Sequence, residues 1–238
     1  VCAVPDGGNP ESYDLPPSAM VGLSKCRLYF SCGYLGFERS WLGKLSENNP
    51  RLQVVDLSEG LELLYGTHHH EEGHLHDGEA YPDPHIWCSP RLARRMVETM
   101  YRALTEIDPD GASVYAENYA RIDRRFAQLD SVLTDKLRPF KGKVFAVYHP
   151  TLSYWAADYG LRQLALEPDG KSPSPQYLRA MVDSARHVGV EVVFIQQEFD
   201  PRQAETFARE VGCRTEIINP LAYTWSEEIM RIADAFIR

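Results

Sequence analysis

Apolar positions along the chain switch between two periods. PPSAMVGLSKC has helical spacing with proline in its first turn, and RLYFSC after it is a short apolar run of strand type. GFERSWLGKLSENNP is again helical and ends in turn residues, and RLQVVDLS reads as the next strand. The opening VCAVPDGGN reads as the end of a strand entering a loop. In SPRLARRMVETMYRALTEID, Ser89 is placed to cap a helix and Pro90 to occupy its first position. From about Ser113 to Leu137, the residues Ile122, Phe126, Leu129, Val132 and Leu133 make one apolar stripe. A helix of about 25 residues spans roughly 37 Å, a length suited to bridging two lobes.

The remainder alternates strand and helix: KVFAVYHP, a helix, LRQLAL, a helix from Pro175 to Val188, VEVVFIQQ, a helix, TEIINP and a terminal helix. VEVVFI is almost unbroken in β-forming residues, as expected of a strand buried on both faces of a parallel sheet. The alternation predicts an α/β fold, in which ligands gather beyond the carboxyl ends of strands. His149, Glu198 and Asn219 each emerge at such a strand end, while Glu11 and His85 lie in loops of the other half. If the two halves face each other, these residues converge in a cleft. Each also has an ordinary role when taken singly. A strand-end histidine is commonly just hydrogen-bonded, and Glu11 alone is a solvated loop acid. Glu198 suits the N-terminus of the following helix, and Asn219 before Pro220 is a common turn pair.

Composition narrows the classes. At 238 residues, 44% apolar and 25% charged, the chain can bury a sizeable core. A formal charge of −9 without a basic stripe argues against nucleic acid as a partner. No apolar run approaches the roughly 18–20 residues that span a bilayer, and no signal segment is visible. The five cysteines are odd in number and contain no CxxC, so neither a zinc ribbon nor a dense disulfide framework is expected. Cys26 and Cys32 remain open as a pair or as buried thiols.

The stretch YGTHHHEEGHLHDGEAYPDPHIWC is the chemically densest part of the chain. Its loop, residues 67–79, carries His68, His69, His70, His74 and His76 beside Glu71, Glu72, Asp77 and Glu79. Such a mixed nitrogen and oxygen set suits zinc or copper, and the alternative is a solvated polar loop. His70 to His74 reads HEEGH and so spells HExxH, but it lies in a Gly- and acid-rich stretch without the apolar periodicity of the helix that a zinc protease needs.

Several stretches recur in the order GGNPESYDLPPSAM, GYLGFERSWLGKL, the His/Glu loop, DPHIWCSP, DPDGASVYAENY, VYHPTLSYWAADYGL, SPSPQYL and INPLAY. Together they resemble the zinc/manganese-type (cluster A-I) solute-binding proteins of bacterial ABC transporters, the zinc-uptake subgroup in particular. The resemblance covers nearly the whole chain. It implies two α/β lobes with mostly parallel sheets, joined by one long rigid helix, with a metal in the interlobe cleft. The lobes would be residues 1–112 and 139–238, with the linking helix at 113–138. Family members carry a further strand and helix before the stretch matching VCAVPDGGN, so the N-terminal lobe is expected to lack them.

The resemblance also implies the ligands. Glu11 stands where the family's first histidine stands, His85 in DPHIW matches the second ligand, and His149 in VYHP the third. The fourth, an Asp before PL in the family, falls on Asn219, a poor zinc ligand, so Glu198 is favoured there, with water or Asn219 as alternatives. Two imidazoles with one or two carboxylates suit tetrahedral Zn²⁺, whereas Mn²⁺ prefers more oxygen and is less favoured. The loop histidines then form a secondary, weaker metal binder. Trp87, Tyr148, Tyr154 and Trp155 flank the ligands, as a shield from water or as ordinary core aromatics. The function implied is extracytoplasmic zinc capture and delivery to an ABC-type permease, without catalysis, by a monomer that is periplasmic or at the cell surface, free or lipid-anchored. The alternatives are a zinc-dependent hydrolase with Glu198 as general base, and a metal-binding adhesion or interaction protein.

Overall fold

The structure is a computed structural model that describes residues 2–5, 7–11, 13–65, 82–167 and 173–238. The loop histidines His68, His69, His70, His74 and His76 lie outside the described residues.

The N-terminal half carries α1 (Pro17–Leu23), β1 (Leu28–Ser31), α2 (Gly36–Asn48) and β2 (Gln53–Asp56). β1 and β2 pair in parallel, from Leu28 opposite Gln53 to Ser31 opposite Asp56. Side-chain alternation gives β1 two apolar faces. Tyr29 packs with Leu23, Phe37 and Leu45 of α1 and α2, and Phe30 lies with Ile86 and Met96 on the other side. The opening residues do not extend this sheet. Ala3 and Val4 form a bend and pack onto the Tyr29 cluster instead. The expected strand end is therefore a bend: an apolar run becomes a strand only where a ladder partner lies alongside.

Two long helices follow, α3 (Pro90–Ile107) and α4 (Ala112–Leu137). Ser89 caps α3, its hydroxyl oxygen accepting the Leu92 N–H at 3.0 Å, with Pro90 in the first turn as expected. The same hydroxyl donates to Asp158 Oδ2 at 2.5 Å, tying α3 to the C-terminal half. Arg91 meets Asp130, Arg94 meets Asp123 in two parallel bonds of 2.8 and 3.0 Å, and Tyr101 stacks on Tyr119 at 4.9 Å. Numbers rise along α3 as they fall along α4, so the pair is antiparallel. On α4, Leu129, Leu133 and Leu137 are buried, but Val132 is 42% exposed and leaves the expected stripe. The buried Leu129, Leu133 and Leu137 centre the core-facing side near Leu133, and Val132, about 100° round the helix from it, lies at the margin of that side.

The C-terminal half comprises β3 (Val144–Val147), α5 (Ser153–Asp158), β4 (Arg162–Ala165), α6 (Pro175–Val188), β5 (Val192–Gln196), α7 (Arg202–Val211), β6 (Arg214–Ile218) and α8 (Trp225–Ile237). Its four strands are all parallel in the order β4-β3-β5-β6. Every residue of β5 is buried, as its composition predicted. Phe145, Val147, Val192 and Phe194 face a core with α4, α5 and α8, while Ala146, Val193 and Ile195 face α6 and α7. α6 ends at Gly189, whose φ of 71° is the left-handed cap that glycine adopts without a Cβ clash. The chain winds from β3 to β4 on one side, and β5 then returns to the other. The carboxyl end of β3 is thus the switch point of the sheet, where this architecture opens a crevice. All five cysteines are free thiols.

The burial pattern of α4 predicts a sharp contrast between neighbours. Leu133→Ala should cost about 2–5 kcal/mol, and Val132→Ala no more than about 0.5 kcal/mol. Urea unfolding midpoints of the two variants check this; equal effects would contradict the stated face of the helix.

Candidate metal centre

Three side chains from distant parts of the chain meet over the switch point. Glu11 lies in the loop before α1, its own N–H held by Asn9 Oδ1 at 2.9 Å. His85 precedes the 3₁₀ turn Ile86–Cys88. Asp83 Oδ1 fixes it twice, accepting the His85 backbone N–H at 2.9 Å and lying 2.7 Å from Nδ1. Asp83 is itself anchored across the two halves, because its carbonyl accepts the Tyr154 hydroxyl at 2.7 Å. The Tyr154 oxygen in turn accepts the Leu64 N–H at 3.1 Å.

His149 follows β3, and the strand register selects its partners. Val147 lies opposite Ala165 of β4 and opposite Phe194 of β5, so two residues further on His149 faces Glu167 and Gln196. Glu167 Oε2 bonds to His149 Nδ1, and Gln196 Nε2 donates to the His149 carbonyl at 2.7 Å. Phe199 stacks on the His149 ring at 5.2 Å, and Trp87 sets its edge against His85 at 5.2 Å.

With each Nδ1 turned to a carboxylate, both Nε2 atoms point to the same place. They are 3.3 Å apart, and Glu11 Oε1 lies 3.3 Å from His85 Nε2 and 3.2 Å from His149 Nε2. Bonds of about 2.0–2.1 Å in a tetrahedron hold ligand atoms roughly 3.3 Å apart, so the triangle has the edge a zinc ion requires. Among the described residues, this is the group of His, Cys, Asp and Glu whose donor atoms converge. The open space beside it is about 10 Å³, room for one ion or water.

The electrostatics follow from burial and pairing. Burial acts to raise the Glu11 carboxyl, but its hydrogen bonds with His149 and His85 outweigh that and hold it far below the usual range. Burial acts to lower His149, yet Glu11 and Glu167 overcome it and lift the imidazole to about 9. His85 is raised in the same way, by Asp83 and Glu11 against burial. Both imidazoles therefore hold a proton more firmly than a free histidine does.

Other expected residues fall in different places. Glu198 lines the same cavity, half-buried and raised by that burial, but stands outside the triangle. The Asn219 side-chain oxygen accepts the Leu221 N–H at 3.2 Å, which spends it on a turn. Of the four aromatics, Trp87 lines the cavity, whereas Trp155 is wholly buried against Phe145 and Tyr148 donates to Gln203. The sequence reading missed Asp83, Glu167, Gln196 and Phe199. Glu167 carried a usable signal, since it follows LRQLAL as His149 follows its own strand.

Comparison with known proteins sets this geometry in a family. The model of the zinc-uptake complex component A, periplasmic, matches residues 1–234. The high-affinity zinc uptake system protein ZnuA of Bacillus subtilis is 26% identical over 234 residues, 94% of this chain and 72% of its own length. The zinc-binding lipoprotein AdcA of Streptococcus pneumoniae is 28% identical over 201 residues. That match takes in 79% of this chain but only 39% of AdcA, so the chain spans well under half of that relative. A crystal structure of ZnuA superposes with a TM-score of 0.88 at 32% identity, over 98% of this chain and 87% of the other. The converging Glu11, His85 and His149, on two parallel-sheet halves joined by a long helix, are carried by a chain that belongs to the ZnuA family of zinc-uptake solute-binding proteins.

Proposed function

We propose that this chain captures Zn²⁺ outside the cytoplasm and hands it to the permease of an ABC transporter, with Glu11, His85 and His149 as ligands. The observation that carries the reading is the triangle of Oε1 and two Nε2 atoms at 3.2–3.3 Å, closed behind the imidazoles by the half-buried Asp83 and the buried Glu167. Carboxylate–histidine pairs of this kind fix the tautomer and raise the basicity of a metal ligand. The relatives' names, a zinc-uptake protein and a zinc-binding lipoprotein, support both the ion and the extracytoplasmic location. Mn²⁺ fits less well, because it prefers about six mostly oxygen ligands.

Glu198 supplies the fourth ligand in this reading, with water or Asn219 as the alternatives. The turn bond made by the Asn219 oxygen favours Glu198. The lobes divide as 1–112 and 139–238 about the helix at 113–138, and the monomer binds no nucleic acid. The histidines of residues 67–79 act as a weaker accessory binder that raises local zinc near the cleft. No catalytic step is involved: the ion is cargo, held between the lobes and released when they shift.

Calorimetric zinc titration of metal-stripped protein tests the assignment. One tight site is expected, lost in a His85→Ala/His149→Ala variant, with weaker binding remaining until residues 67–79 are deleted. A tight site that survives the double substitution refutes the proposed ligands. Glu167→Gln keeps all three ligands and should weaken zinc by about 10–100-fold in the same titration.

The raised imidazole predicts opposite pH trends with and without zinc. A proton held on His149 up to about 9 stabilises the metal-free fold fully below 6.5, and that stabilisation fades as pH rises through about 9. Zinc must displace that proton, so its affinity grows over the same interval. Thermal unfolding should show the metal-free midpoint falling from pH 6.5 to 9 while the zinc-induced increment rises. A pH-independent increment would contradict this coupling.

A further inference from the structure

Glu11 is the ligand without a strand or helix beneath it, yet its carboxylate is held 3.2 and 3.3 Å from the two imidazoles. Its backbone is gripped from both sides. On the amide side, Asn9 Oδ1 accepts the Glu11 N–H at 2.9 Å. On the carbonyl side, the Glu11 oxygen lies 2.8 Å from where a Cβ on Gly36 would stand. That separation is shorter than real Cβ–oxygen contacts, and the atom met is backbone that cannot rotate away. Gly36 opens α2, and its own place is fixed by the next turn. The Glu38 carboxylate accepts the Cys32 N–H at 3.0 Å and the Gly33 N–H at 3.1 Å, bracing α2 against the end of β1. Edge contact of Tyr13 with Phe37 at 6.5 Å packs the same loop onto the same helix end.

From this geometry we infer that Gly36 and Asn9 are positioning residues for metal binding: the missing side chain of Gly36 is the seat on which the Glu11 backbone rests, and Asn9 locks its other face. The inference rests on Glu11 being a metal ligand. Gly36 needs to be glycine because of this close approach; its φ lies outside the left-handed region. Gly43, further along α2, is exposed with nothing within 4 Å of an added Cβ, and it provides a built-in control.

The test is titration of the full chain with Zn²⁺ against a chromophoric chelator, in parallel with Co²⁺ absorption as a reporter of ligand geometry. Gly36→Ala should weaken zinc by roughly 10–100-fold and alter the Co²⁺ spectrum, the range typical of lost support behind a ligand. Gly43→Ala should change neither. In a Glu11→Ala background, Gly36→Ala should add no further loss, because nothing remains to be positioned. If Gly36→Ala fails to fold, Asn9→Ala removes the amide acceptor without adding bulk, and it should show the same loss and the same silence. Unchanged zinc affinity in both variants, or a loss fully additive with Glu11→Ala, overturns the positioning role. Tight zinc binding that survives His149→Ala sinks the metal-centre reading itself, a result separate from either.

Discussion

The arrangement depends on one constraint: two imidazoles and a carboxylate must be kept about 3.3 Å apart in a space with room for a single ion. Such a cluster is costly to bury unless every member is paired. Here the pairing is complete, with Asp83 behind His85, Glu167 behind His149, and the Nε2 atoms left facing Glu11. Much of the surrounding architecture can be read as the support of those contacts. The switch in strand order puts His149 over a crevice with Glu167 and Gln196 on adjoining strands. Tyr154 reaches across from the C-terminal half to hold the carbonyl of Asp83.

The long helix pair supplies rigidity at a distance from this centre. α4 alone would be a slender connection, but α3 lies antiparallel along it and is pinned by Arg91, Arg94 and the Tyr101–Tyr119 stack. Exposed or half-exposed ion pairs contribute little each. What they add here is register, with the apolar side of α4 from Leu129 to Leu137 providing the burial. Ser89 serves both ends of this support, capping α3 and bonding to Asp158 of α5.

Local features were legible in the sequence because they depend on neighbours in the chain. The Ser89–Pro90 start of α3, the limits of α6 and the all-buried β5 all follow from capping, proline placement and β-branched composition. Where the pattern was ambiguous, the third dimension decided: Val132 lies at the margin of the face that Leu133 centres, and Cys2, Ala3 and Val4 found no ladder to join. The convergence of Glu11, His85 and His149 was anticipated through strand ends and family resemblance. Their supporting residues were not, since Glu167 reaches His149 only through the pairing of β3 with β4, which spacing along the chain does not encode.

The way these contacts cross the chain has a consequence for how the cluster comes together. His85 and His149 are 64 residues apart in sequence, and the Tyr154–Asp83 bond joins residues 71 apart. Contacts that close such long stretches carry a large entropic cost and form only once the segments between them are in place. The cluster is therefore a late contact, and its integrity reports on the completed fold and not on either half alone.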